Sequence, residues 1–268
     1  MTGTAEAERV LRTERDGAVA TLVLDRPQAR NALSSALVRQ LRAALAELDA
    51  DDTVDVVVLT GADPSFCAGL DLKELGSTGA NLELGSSPPG VPPGHPWAPL
   101  TKPVLGAVNG VAVTGGLELA LHCDLLVASE RAAFADTHAR VGVMPGWGMS
   151  VLLPAAVGTR LARRMSLTGD FLSAEEALRA GLVTEVVPHE DLLPRALELA
   201  RTIAGNDREA VRALLKTYRT VEAELTAPGL ATEAAASAAW LAGGFDPGEV
   251  ERRRGGVVQR GRGQGVPS

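Results

Sequence analysis

The feature that most constrains this chain is a recurrence. Short apolar runs rich in β-branched residues are each followed by glycine-rich punctuation and then by helical material. Residues 18–24 (AVATLVL), 54–59 (VDVVVL), 104–108 (VLGAV) and 125–128 (LLVA) are such runs. A strand without polar alternation is buried on both faces, as in a parallel sheet covered by helices. Strand, loop and helix in repeated succession therefore predict an α/β protein rather than an all-helical one.

The first run stops at Asp25-Arg26-Pro27, a turn signal. Leu33, Leu37, Leu41, Leu45 and Leu48 then repeat at helical spacing, with Asn31 or Ser34 as the expected N-cap. The segment 76–100 is rich in Gly, Ser and Pro and is expected to be a mobile surface loop, a lid beside a site. From about Leu161 onward helical patterns dominate.

A chain of 268 residues with 46% hydrophobic and 22% charged residues has enough apolar material for a substantial core, and global disorder is excluded. The net charge of -7 provides no overall basic field for nucleic acid or an anionic membrane. The arginine-rich tail, RRRGGVVQRGRGQG, lacks interleaved aromatics and is expected to be a solvated end. Cys67 and Cys123 form neither a disulfide framework nor a metal spacing, and neither metal nor cofactor is expected. The N-terminal stretch is polar, and no run reaches the ~20 apolar residues of a bilayer span. The cytoplasm is the expected compartment.

Two segments stand where chemistry is expected. Residues 64–73 (PSFCAGLDLK) and 109–120 (NGVAVTGGLELA) each follow a strand and place small residues before a helix. In open α/β proteins the carboxyl ends of the strands are where ligands bind, and glycine lets the backbone approach them. A tight strand–helix turn would account for either segment alone.

Together DRPQARNALS, FCAGLDLKEL, NGVAVTGGLELALHCDLLVAS and VGVMPGWG, in that order, resemble the crotonase superfamily, whose best-known member is enoyl-CoA hydratase. The resemblance implies a spiral of ββα units over residues 1–200. It also implies a C-terminal helical region, 201–268, that supports a homotrimer or a dimer of trimers. The implied substrate is an acyl-CoA thioester whose carbonyl lies between the backbone N–H groups of Leu70 and Gly115. Charge that develops on that oxygen during conjugate addition would be stabilised by both donors. Gln28, Ala29, Arg30, Ala68, Asp71, Lys73 and Gly116 fall where the family contacts CoA or the substrate, and Trp147, with Met144, where an acyl pocket has its wall.

Glu118 matches the first of the two glutamates a hydratase of this family uses. Packed among Leu117, Leu119 and Ala120, its carboxyl is expected to be desolvated and raised in pKa. The second glutamate's position is held by His138. Asp136, two residues earlier on a segment read as extended, would share its face and orient it. His138 is read equally as an acid/base and as a polar wall. The implied reaction is hydration of a 2-enoyl-CoA. The alternatives are double-bond isomerisation, hydrolysis of a CoA-linked diketone, and acyl-CoA binding without catalysis. Cys67 is expected to be a buried filler, His122 a core or interface residue, and His95 and His189 loop residues.

Overall fold

The computed structural model describes residues 9–79, 81, 87–244, 246, 248–250, 252–253, 255–256 and 259. The basic tail therefore lies largely outside the described residues. The chain runs β1 (Leu11–Asp16), β2 (Val19–Leu24), α1 (Ser35–Ala50), β3 (Val56–Gly61), β4 (Ser65–Cys67), α2 (Leu72–Ser77), β5 (Val104–Val108), β6 (Val111–Val113) and α3 (Gly115–Leu121). It continues with β7 (Leu125–Ser129), β8 (Ala133–Ala135), α4 (His138–Val141), α5 (Met149–Val157), α6 (Thr159–Thr168), β9 (Leu172–Ser173), α7 (Ala174–Ala180), β10 (Glu185–Val187), α8 (Leu192–Ala204) and α9 (Arg208–Ala242).

Two sheets result. The larger has the order β1-β2-β3-β5-β7-β10, parallel except for the β1–β2 hairpin; the smaller has the order β4-β6-β8-β9, parallel except for β8–β9. Each of the successions β3-β4-α2, β5-β6-α3 and β7-β8-α4 gives one strand to each sheet and then a helix. That is a ββα spiral.

The predicted strands fall within two residues of the observed ones, and the reason they lack alternation is visible in β3. Val57 and Leu59 enter the main core with Leu37, Leu41 and Leu45 of α1, whereas Val56 and Val58 pack on Ala196 and Ala200 of α8. Successive side chains point to opposite faces, and both faces are covered.

One of the two N-caps offered for α1 forms, and two other expectations need correction. Ser34, not Asn31, caps α1, with its hydroxyl accepting from the Leu37 N–H at 3.3 Å. Asn31 instead adopts a left-handed conformation (φ 56), buried, and its side-chain amide donates to the carbonyls of Ala62 and Ser65. Leu33 lies outside the helix: its N–H donates to the Gly69 carbonyl at 2.7 Å, and its carbonyl accepts from the Asp71 N–H at 3.1 Å.

The second correction concerns the segment 76–100. Residues 76–77 close α2, while Trp97 and Leu100 are buried in the main core, so this end of the segment is pinned. Arg42 of α1 adds a hydrogen bond to the Pro96 carbonyl at 2.7 Å. Burial of the Trp97 and Leu100 side chains docks this end of the segment. Residues 80 and 82–86 of this segment lie outside the described residues. Among the described residues no helix is long and apolar enough to cross a membrane.

Candidate active site

The carboxyl ends of β4, β6 and β8 stand side by side in the smaller sheet, and the three loops that leave them converge on one cleft. It is lined by Leu70, Gly115, Glu118, His138, Val143, Met144, Gly146, Trp147, Ser237 and Leu241.

Leu70 follows β4. Its neighbours Gly69 and Asp71 use their own carbonyl and N–H on Leu33, in a parallel bridge. In such a ladder the intervening residue's N–H points the other way. The Leu70 N–H is thereby turned from Leu33. Gly69 has φ 82, and a side chain there would collide with Thr114, so the loops after β4 and β6 touch through a glycine.

Gly115 opens α3, where first-turn amides lack intrahelical partners. The preceding Thr114 has φ 50 and ψ -119, a conformation strained for a β-branched residue. Two bonds hold it there: its N–H donates to the Ala135 carbonyl and its carbonyl accepts from the Glu118 N–H, both at 2.9 Å. The peptide plane that directs the Gly115 N–H is thus fixed from both sides. A Cβ at Gly115 would stand 2.8 Å from Leu33 Cδ1 and 4.0 Å from Glu118 Oε2, inside the cleft.

Glu118, one turn into α3, is 3% exposed. Its Oε1 accepts from the Trp147 N–H at 2.8 Å and the Gly146 N–H at 3.3 Å, leaving Oε2 to face His138 Nε2 at 3.7 Å. Burial is the main reason the carboxyl is pushed up to about 7; Glu233 and Asp136 add to the rise, while His138 and the Trp147 N–H oppose it. His138 is buried as well. Burial alone would favour its neutral ring, but the Asp136 hydrogen bond and the charges of Glu118, Asp136 and Glu233 outweigh that and raise its pKa. Burial would raise Asp136 too, yet the His138 bond holds it below its ordinary value. These shifts favour the protonated His138 ring with Asp136 as its counter-ion, and Glu118 stands near its midpoint at neutral pH.

The Asp136–His138 pair forms as expected, but not by strand alternation. β8 ends at Ala135, and a turn follows. Asp136 Oδ1 accepts from both the His138 N–H at 3.1 Å and Nδ1 at 2.6 Å. A turn rather than extended chain brings them together.

Trp147 and Met144 do line the cleft, and Trp147 is braced from behind. His122 Nε2 is 2.9 Å from the Trp147 carbonyl, and the Arg42 guanidinium lies 5.9 Å from its ring centroid. His122 itself packs on His95 and Trp97 and is pushed down to about 4, chiefly by burial. Cys67 is fully buried, and burial pushes its thiol up to about 12, which suits packing and not nucleophilic attack.

The remaining candidates separate into two groups. Gln28, Ala29, Arg30, Ala68 and Lys73 are outside the residues lining the cleft: the Ala68 N–H donates to the Arg30 carbonyl at 3.0 Å, Gln28 is exposed, and Lys73 is exposed in the first turn of α2. Asp71 and Gly116 serve the chain itself. The Asp71 carboxylate caps α2 and pairs with Arg26 at 3.0 Å. Gly116 sits against the Cys67 carbonyl, with no room for a side chain. His189 bonds Ser129 and Asp63, outside the residues lining the cleft.

Ser237, Leu241 and Glu233 were not foreseen. All lie on α9, and the one signal in the sequence was a single acid in the alanine-rich run TEAAASAAWLAGG.

Residues 14–240 match the family described as enoyl-CoA hydratase/isomerase. A relative named "Probable enoyl-CoA hydratase 1, peroxisomal", from Arabidopsis thaliana, is 38% identical over 206 residues, covering 76% of this chain and 77% of the relative. The 2,3-dehydroadipyl-CoA hydratase of Escherichia coli (strain K12) is 38% identical over 218 residues, 80% of this chain and 84% of that one. A crystal structure of an enoyl-CoA hydratase from Mycobacterium tuberculosis H37Rv superposes with a TM-score of 0.80 at 56% identity, covering 88% of this chain and 99% of that chain. The ββα spiral and its cleft are those of the crotonase superfamily. Within it, the chain belongs to the enoyl-CoA hydratase/isomerase family.

Proposed function

We propose that the protein is an enoyl-CoA hydratase-like lyase that adds water to a 2-enoyl-CoA through a thioester enolate. One observation carries this reading. Glu118 and His138, both buried, face each other at 3.7 Å in a cleft that Leu70 and Gly115 also line.

In the proposed reaction the thioester oxygen lies against the Leu70 and Gly115 N–H groups. Each such donor contributes roughly 3–4 kcal/mol to stabilising a developing oxyanion. A separation of 3.7 Å is too long for a direct hydrogen bond and lets both side chains reach one water. Glu118 takes a proton from that water as its oxygen adds to the β carbon. The charge moves to the thioester oxygen, and the enolate collapses as His138 gives its proton to the α carbon. Transfer of the proton from Glu118 to His138 restores the starting state. Asp136 keeps His138 charged and oriented.

Arg30, Lys73 and the Ala68 loop are proposed to receive the CoA moiety. The CoA ester is the substrate, and the chemistry calls for no other cofactor. An exposed apolar stripe on α9, Leu214, Tyr218, Val221 and Leu225, supports a trimer or a dimer of trimers. The free thiols of Cys67 and Cys123 suit the reducing cytoplasm.

The test is turnover of crotonyl-CoA and longer 2-enoyl-CoAs, followed by loss of the conjugated thioester's absorbance. Hydration supports the reading. Acyl-CoA binding without turnover would reduce the protein to a binding homologue. Because a histidine replaces the second carboxylate, migration of a 3-enoyl double bond is measured in parallel. Isomerisation without hydration would replace the hydratase reading.

A further inference from the structure

The loop between α4 and α5 serves two carboxylates at once. Gly146 and Trp147 donate their N–H groups to Glu118 Oε1. The amides just beyond turn to Glu233 of α9: Gly148 N–H to Oε1 and Ser150 N–H to Oε2, each at 2.6 Å, with the Ser150 hydroxyl also on Oε2. Glu233 is 4% exposed, and its two carboxyl oxygens accept hydrogen bonds from three donors in all. It has no capping role within its own helix. Instead it supplies the start of α5 with a cap, which Gly148 cannot do.

The packing around it is close. Leu230, one turn before Glu233, lies against Gly148 and Gly94, and Gly229 lies against Val151. One and two turns beyond Glu233, Ser237 and Leu241 line the cleft. α9 is therefore fastened to the amide loop next to the site.

We propose that Glu233 is a positioning residue for Glu118, holding from α9 the loop whose amides orient the acid/base carboxylate. The kinetic part of this inference rests on the hydratase reading; the structural part does not. The groups facing Glu118 are His138 and Asp136 from the loop after β8 and α4, Glu233 from α9, and the Gly146 and Trp147 N–H groups, with Arg42 of α1 behind the Trp147 ring. Among these, Glu233 acts in the direction that raises the Glu118 pKa.

In Glu233→Gln a side-chain NH2 group faces backbone donors and the negative charge is lost. The variant is expected to lower kcat for crotonyl-CoA about tenfold while KM stays within about twofold, as for loss of one charged hydrogen-bonding partner. The Glu118 carboxyl signal in 13C NMR, assigned by its loss in Glu118→Gln, is expected to titrate at lower pH. A Glu118 midpoint that stays in place in folded Glu233→Gln overturns the proposal, whatever happens to kcat. Should that variant fail to fold, Ser150→Ala keeps the carboxylate and removes one donor. Hydrogen exchange at the Gly146 and Trp147 amides is then expected to quicken about threefold. Unchanged exchange overturns the proposal. Titration and exchange need no turnover, so an inactive wild-type protein would sink the hydratase reading and leave this inference to those two measurements.

Discussion

The two sides of the cleft are built from different parts of the polypeptide. On one side are Leu70 and Gly115, proposed to act through their main-chain N–H groups, with backbone fixed by the Leu33 bridge and by the strained Thr114 between its two hydrogen bonds. Glu118 and His138 present side chains, each held by groups from other loops: Gly146 and Trp147 for one, Asp136 for the other. The main-chain side needs particular backbone geometry and tolerates many side chains. The side-chain side needs particular residues and depends on distant parts of the chain to aim and charge them.

Substitutions sharpen this contrast. The largest effect is expected for Glu118→Gln, which keeps the shape and removes the titrating group. Hydration kcat should fall about 10²–10⁴-fold with CoA-ester binding retained, read from steady-state kinetics and calorimetric titration. Activity that survives it removes Glu118 from the acid/base role.

On the other side, Leu70→Pro deletes an N–H and should cost about 10²–10³ in kcat, whereas Leu70→Ala keeps it and should stay within about threefold. Equal losses in the two variants would mean that the leucine side chain, not the amide, matters.

Asp136→Asn is expected to lower kcat about tenfold and to change the pH profile in a specified way. In the wild type, rate falls as pH drops through about 7 and Glu118 takes up its proton. At the alkaline end it falls as His138 loses its proton, above the ordinary histidine value because Asp136 and Glu118 raise it. Without the Asp136 charge the alkaline limb should move to lower pH. An alkaline limb that does not move would show that His138 does not titrate in the rate.

The smallest effect is the most specific to the backbone. Thr114→Gly relieves a positive-φ threonine and should raise stability by about 1 kcal/mol in denaturant unfolding, with kcat within about twofold. A large loss of activity would show that the threonine does more than hold the peptide plane.

Much of the fold was legible. Runs such as VDVVVL announced strands buried on both faces, and the glycines after them marked where the chain turns into helices. Glycine in the two segments was read as letting the backbone approach a ligand; at Gly69 and Gly116 it instead admits a neighbouring loop or strand, with which a side chain would collide. The Glu118 pKa was foreseeable in direction, since its flanking residues are apolar.

Errors arose where a local pattern met a non-local partner. Leu33 continues the leucine stripe of α1 in sequence, but its backbone is taken by Gly69 and Asp71, so the helix begins after it. Trp97 and Leu100 sit in a run that reads as free loop, yet the core has room for them. Asp136 and His138 were paired correctly from their spacing, but by a turn instead of an extended strand.

The sequence by itself determined the strand–helix alternation, the two amide-bearing loops and the presence of Glu118 and His138. These follow from short-range hydrophobic periodicity, from glycine, and from the ordered motifs. Only the tertiary structure decided that Glu118 Oε2 meets His138 across the cleft, and that α9 reaches back through Glu233 to the Gly148 and Ser150 amides. Those contacts join residues 20 to 85 positions apart, and no local propensity encodes them. They exist because the spiral brings three strand ends together and α9 packs its buried residues, Leu230 and Glu233, against the start of α5.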